Sequence, residues 1–251
     1  MRTIKKRPHP VKLTQWRAPR MVAVRPEGME CTYEEMRRDG QVIEAVEDSL
    51  LVEQGGICAY TGHRIRITPA DPASARVRDV DLHIEHLVPQ HHCAYGQDTD
   101  YENMVACWPR PNCGFEPAYG ARKKGSWPSP VDQALFVSPL RHDCSSRFTF
   151  HHRGGIAAAN PNDEAADQTV TRLGLNHDTL KALRREAIRG ALNPRSRLIR
   201  LSEARRLLVQ MERAASELNL GRSATLMPFC FAIEPALRRE IRKLEGILSG
   251  L

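Results

Sequence analysis

The 251-residue chain contains no run of eighteen apolar residues, so no membrane-spanning helix is expected. Its first twenty residues, MRTIKKRPHPVKLTQWRAPR, contain no acid and no apolar core of a secretory signal, which places the protein, as an expectation, in the cytoplasm. A phosphate-cradling loop of the GxxxxGK type is missing, so ATP-driven control by that route would have to come from outside the chain. Internal repeats and low-complexity tracts are missing too. The seven cysteines (Cys31, Cys58, Cys93, Cys107, Cys113, Cys144 and Cys230) are odd in number. Without an export signal they do not read as a disulfide framework. Some are expected to be buried small hydrophobes and others to hold a metal.

A hydrophobic content of 41% supports a real core, and 27% charged residues suit an ordinary soluble protein. The formal net charge of +7 is unevenly spread. Lys and Arg crowd the first twenty residues, where Lys5, Lys6 and Arg7 are expected to meet phosphate or an acidic partner, and again residues 184–206. Such blocks suit phosphate-rich partners, because neutralised phosphates release counterions.

Thr32 with Glu35 three residues on is a capping-box signal, and Val42, Val46 and Leu50 then recur at helical spacing until Gly55-Gly56. Residues 57–125 are irregular and rich in Cys, His, Pro and Asn, a composition expected to need a metal to hold it together. FTFHH at 148–152, followed by Arg153-Gly154-Gly155, predicts a hairpin. Beyond about residue 164 the chain turns helical. Asn176 or Asp178 can cap a helix carrying Leu180, Leu183 and Ala187, with Gly190 beyond its end. A second helix carries Leu201, Ala204, Leu208, Met211, Ala215 and Leu218. A third begins at Pro235 and carries Leu237, Ile241, Leu244 and Leu248. These stripes read first as core and second as a docking face.

The stretch Asp79–His92, DVDLHIEHLVPQHH, alternates strictly over its first eight residues. Asp79, Asp81, His83 and Glu85 share one parity; Val80, Leu82, Ile84 and His86 share the other, as in a strand. Neighbouring strand residues point to opposite faces, so Glu85 and His86 present an acid and an imidazole on different faces of one strand. Glu85 suits a hard cation through oxygen. A neutral His86 suits proton abstraction from water. Alone, the pair would be weak evidence.

Four pieces then fall in order: CAYTGHRI at 58–65, DLHIEHLVP at 81–89, YENM at 101–104 and ACWPRPNCGFEPAYGARKKG at 106–125. The ordered set resembles the HNH nuclease signature. With MRTIKKRPHPVKLTQWR, LLVEQGGICAY, FVSPLRHDCSSRFTFHHRGGI and VTRLGLNHDTLKALRREAI, the chain resembles the retron- and Septu-associated branch of HNH endonucleases over roughly residues 1–190. That resemblance implies an α+β fold, with an HNH ββα-metal finger embedded between an N-terminal helix and a C-terminal helical region. Taken with the residue pattern along the chain, the expected parts are a basic arm and helix over 1–56, a nuclease core over 57–160 and a helical region over 161–251.

The same resemblance implies hydrolysis of DNA or tRNA with one divalent metal, Mg2+ or Mn2+, in bacterial anti-phage defence beside an ATPase partner. His86 matches its general base, Glu85 its acidic metal ligand, and Asn103 the residue that braces the loop and orients the histidine. Lys123 and Lys124 match its closing basic residues, expected on phosphate oxygens. Two departures stand out. The family's CAYC is here Cys58-Ala59-Tyr60-Thr61; Cys58, His63, Cys107 and Cys113 could still form a structural Zn2+ set. The finger helix offers no His, Asn or Asp before its closing Lys-Gly. Asn112 is the first candidate for the remaining ligand, His83 the second and Glu116 the third. His91, His92, His151 and His152 read as surface or turn residues. The competing reading is a catalytically degenerate nucleic-acid-binding or scaffold subunit, and a purely structural zinc module is a third.

Overall fold

The computed structural model describes residues 1–22, 28–70 and 78–249; residues 23–27 of the basic arm and the Leu248 side chain lie outside the described residues. Among the described residues the fold is mixed: helices combined with three separate two-stranded antiparallel sheets. After α1 (Val11–Arg17), Thr32 accepts from the Glu35 N–H and opens α2 (Tyr33–Arg38), as its spacing predicts. Asp39 caps α3 (Gly40–Gln54), which buries Val42, Val46 and Leu50 and ends on Gly55 in the left-handed region, φ 64°. No helix among the described residues is long and apolar enough to cross a membrane.

The alternating stretch does not form one strand. β1 (Ile67–Pro69) pairs with β2 (Arg78–Val80), while β3 (His83–His86) pairs with β4 (Met104–Cys107) in a different sheet. The break falls at Asp81. Its carboxylate accepts from Trp108 Nε1 at 2.7 Å and from the Arg110 N–H at 3.1 Å, which bends the chain between the two sheets.

The β3–β4 hairpin lies between two apolar clusters, and this is what holds the irregular middle of the chain. Ile84, Met104 and Ala106 join Leu13, Val46 and Leu50 on one side. Val105 and Cys107 join Tyr60, Tyr119 and the C-terminal helices on the other. All four β4 residues are buried for that reason. Burial from both faces stabilises this segment. Gln54, at the end of α3, ties the hairpin edge down. Its amide donates to the Ile57 and Ala106 carbonyls, both at 2.9 Å, and its oxygen accepts from the Ala106 N–H at 2.7 Å.

After β4 the chain makes one helical turn, α4 (Ala121–Lys124), and then the predicted hairpin β5 (Phe148–Phe150) and β6 (Ile156–Ala158). α5 (Glu164–Arg172), α6 (Asp178–Leu192), α7 (Leu201–Asn219) and α8 (Cys230–Ser249) complete the fold. His177, not Asn176 or Asp178, caps α6; the Asn176 amide is spent on the Ile156 N–H and carbonyl. α6 runs through Gly190, and α8 starts a turn before Pro235, which sits inside the helix. Lacking an N–H, Pro235 removes one i→i−4 backbone bond there. Ala204, Met211 and Leu218 of α7 are buried in the same cluster as Tyr60 and Val105, so that cluster crosses the 160/161 boundary.

The basic arm is part of the body. Lys6 Nζ sits 2.8 Å from Glu53 Oε1, 2.6 Å from the Met104 carbonyl oxygen and 3.8 Å above the Tyr101 ring. Lys6 is therefore an internal cation, not a phosphate contact.

Candidate active site

β3, the 109–111 segment that follows β4, α2 and the turn α4 surround a cleft of about 790 Å3. His83, Glu85 and His86 all line it, with Tyr33 from α2 and Lys124 from α4. On one face of β3, His83 Nδ1 lies 2.6 Å from the Pro109 carbonyl oxygen. That acceptor requires a proton on Nδ1, so in the neutral ring Nε2 carries the lone pair. It faces Glu85 Oε2 at 4.0 Å. The other carboxylate oxygen, Oε1, is 2.8 Å from Lys124 Nζ, and the same ammonium donates to the His86 carbonyl at 2.8 Å. Burial pushes the Glu85 carboxyl up, while Lys124 and His83 pull it down.

His86 leaves β3 on the opposite face and is buried. Its Nε2 lies 2.7 Å from the Asp98 carbonyl oxygen, which fixes the proton on Nε2 and leaves Nδ1 as the basic nitrogen. Tyr33 packs edge-on against the ring with centroids 4.5 Å apart, and the Tyr33 N–H donates to Asp98 Oδ2 at 2.7 Å. Burial lowers the His86 pKa to about 4, so the imidazole is neutral at pH 7. Asn103 braces the loop that follows. Its oxygen accepts from the Val88 N–H at 2.8 Å, and its amide donates to the Val88 and Gln97 carbonyls at 3.1 and 3.2 Å.

The polar row Asp79, Asp81, His83 and Glu85 is thus paired throughout by protein. Asp79 meets Arg110, Asp81 meets Trp108, His83 meets Pro109 and Glu85 meets Lys124.

Other expected residues are placed differently. Asn112 sits exposed at φ 57° in the 111–114 turn and is not among the residues lining the cleft. The tight Pro-Asn-Cys-Gly turn carries it away from the hairpin face. Glu116 is exposed and pairs with Arg122. Lys124 is not a solvent-facing phosphate contact: its side chain is 1% exposed and committed to Glu85. Lys123 is exposed, its stem lying beside Gly174 and away from the cleft-lining residues. His91, His151 and His152 are exposed, and His92 is half-buried.

Cys58 and Cys107 are buried side by side. Burial would raise the Cys58 thiol, but hydrogen bonds from Cys107, Thr61 and the Trp108 N–H outweigh it and bring its pKa to about 5. His63 Nδ1 is engaged by Thr61 Oγ1 at 2.9 Å, and its ring stacks on Trp108. Cys113 is exposed and turned to the Phe115 carbonyl. The four residues of the zinc expectation therefore do not converge. Among the described residues, no three His, Cys, Asp or Glu side chains are grouped to hold an ion.

For a hard divalent cation the fit is better. Glu85 Oε2 and the His83 lone pair face each other, with a backbone carbonyl fixing the His83 tautomer, as ligating histidines require. Mg2+ and Mn2+ accept such small protein sets because they keep water and phosphate oxygens. Three exposed arginines of the cleft, Arg37, Arg110 and Arg122, carry no recognisable motif and were not legible as a group. Tyr33 had only its place beside a helix cap to suggest it. Compared with known proteins, the chain matches no family model and no curated protein.

Proposed function

We propose that the protein is a metal-dependent endonuclease of the HNH type, cutting phosphodiester bonds with His86 as general base. DNA is the favoured substrate and tRNA the second, and the setting is bacterial anti-phage defence beside an ATPase partner. The observation that carries the reading is the division of labour on β3. A carboxylate–imidazole pair, Glu85 and His83, opens on the same cleft as a neutral His86 whose basic nitrogen is set by Asp98.

In this mechanism His86 Nδ1 accepts the proton of the attacking water while the Asp98 carbonyl holds the ring. Asn103 keeps the strand end in place, and Lys124 pins one oxygen of Glu85 so that the other faces His83. A divalent ion held by Glu85 and His83 would supply the charge that stabilises the phosphoryl oxygens. Arg37, Arg110 and Arg122 line the path of the nucleic-acid backbone, which contributes affinity without a base code.

The test is cleavage of supercoiled plasmid and of tRNA in Mg2+ or Mn2+. His86→Ala should lower the rate by about two to four orders of magnitude, and EDTA should abolish it. Unchanged cleavage by a folded His86→Ala protein would remove the proposed base. One observation favours a second reading, a degenerate binding or scaffold subunit: the Lys124 ammonium already neutralises Glu85. Tight nucleic-acid binding with no cleavage under any divalent ion would select it.

A further inference from the structure

A second groove, of about 640 Å3, lies between α6, α7 and the start of α8. Its base is apolar: Ile199, Phe229 and Ile233 are buried there, and Gly190 and Ala191 of α6 keep the wall low. Met227, 38% exposed, lies along it, and Leu198, 73% exposed, flanks it in the chain. Single exposed apolar residues are ordinary, but here they border a preformed apolar trough.

The rim is basic. Arg197 is neutralised by Glu203, with Nη1 to Oε2 at 2.9 Å. Arg195 and Arg206, both exposed, have no acidic partner among the described residues. The backbone here is unusual as well. Among the described residues four non-glycine residues have positive φ; two of them, Arg195 (55°) and Phe229 (56°), line this groove, and a third, Ser196 (60°), follows Arg195 in the chain. Arg195 thus combines a left-handed backbone with a place on the groove wall, and such strain concentrates at binding sites.

We propose that this groove docks an acidic amphipathic helix of a partner protein. Apolar anchors at i, i+3 or i+4 and i+7 enter the trough between the helices, the usual helix-in-groove mode. Carboxylates flanking the anchors meet Arg195 and Arg206, and this charge match selects an acidic occupant over a neutral or basic one. The inference stands independently of the nuclease reading, because none of these residues lines the β3 cleft.

A phage-displayed library of helical peptides, panned against the full-length protein, tests it. Enriched peptides should carry apolar anchors at helical spacing flanked by Asp or Glu. Gly190→Leu should abolish their binding by narrowing the trough; a Cβ at Gly190 meets nothing within 4 Å. Arg195→Glu with Arg206→Glu should weaken acidic peptides by about tenfold or more and shift enrichment towards Lys- and Arg-bearing ones. Thermal melts of both variants verify folding. Four outcomes overturn the proposal: no enrichment, enrichment without acids, binding that survives Gly190→Leu, or a Gly190-dependent dimer of this chain that excludes peptides.

Discussion

Lys124→Met keeps most of the stem volume but removes the ammonium from Glu85 and from the His86 carbonyl. The Lys124 and Glu85 side chains are 1% and 15% exposed, so the variant leaves a carboxylate buried without its cation. Breaking such a pair from one side costs on the order of 3–5 kcal/mol. The loss should depend on pH. Burial already raises the Glu85 pKa, and without Lys124 it rises further. A carboxyl with a raised folded pKa favours folding below its unfolded pKa, near about 4.3, and loses that contribution as pH climbs through the folded value. The deficit should therefore be smaller at about pH 5 than at about pH 8. Urea denaturation at both pH values, with unchanged m-value, measures it. Adding Glu85→Gln to the variant should recover much of the loss, and saturating Mn2+ should recover about 2.7 kcal/mol at a hundred times its Kd. An equal deficit at both pH values, with additive Lys124 and Glu85 substitutions, would refute the ion pair and, with it, the orientation that turns Oε2 to His83.

Burial lowers His86 to about 4, so its stabilising contribution is full above about pH 6.5 and is lost as pH falls towards 4, by about 3 kcal/mol. His63 titrates in the same window, also lowered to about 4. His86→Phe should therefore flatten, but not abolish, the acid loss of stability in denaturation curves between those pH values. Lys6→Met should cost roughly 3–5 kcal/mol of stability, because the Lys6–Glu53 side chains are 7% and 0% exposed. A variant as stable as the parent in urea would show that the arm is not anchored by that pair.

The helical parts were legible because local rules govern them. Thr32 caps α2, and the four-residue spacing of Val42, Val46 and Leu50 marks the buried face of α3. The Glu85–His86 pair was legible through period two, which assigns opposite faces without tertiary information. The break at Asp81 was not, since it depends on Trp108 and Arg110, brought back by the hairpin from 27 and 29 residues on. The same holds for Lys124. A run of Arg-Lys-Lys before glycine looks like a solvated turn, and only the packing of α4 against β3 shows that Lys124 faces inward while Lys123 faces out. Asn112 had the right spacing for a ligand, but turn geometry overrode it.

Pulsed electron paramagnetic resonance of Mn2+ bound to the full-length protein tests the central claim most directly. One imidazole nitrogen should couple to the ion in the parent and in His86→Ala. That coupling should vanish in His83→Ala, and Mn2+ affinity should collapse in Glu85→Ala. Coupling that survives His83→Ala, or parental affinity without Glu85, would contradict the account.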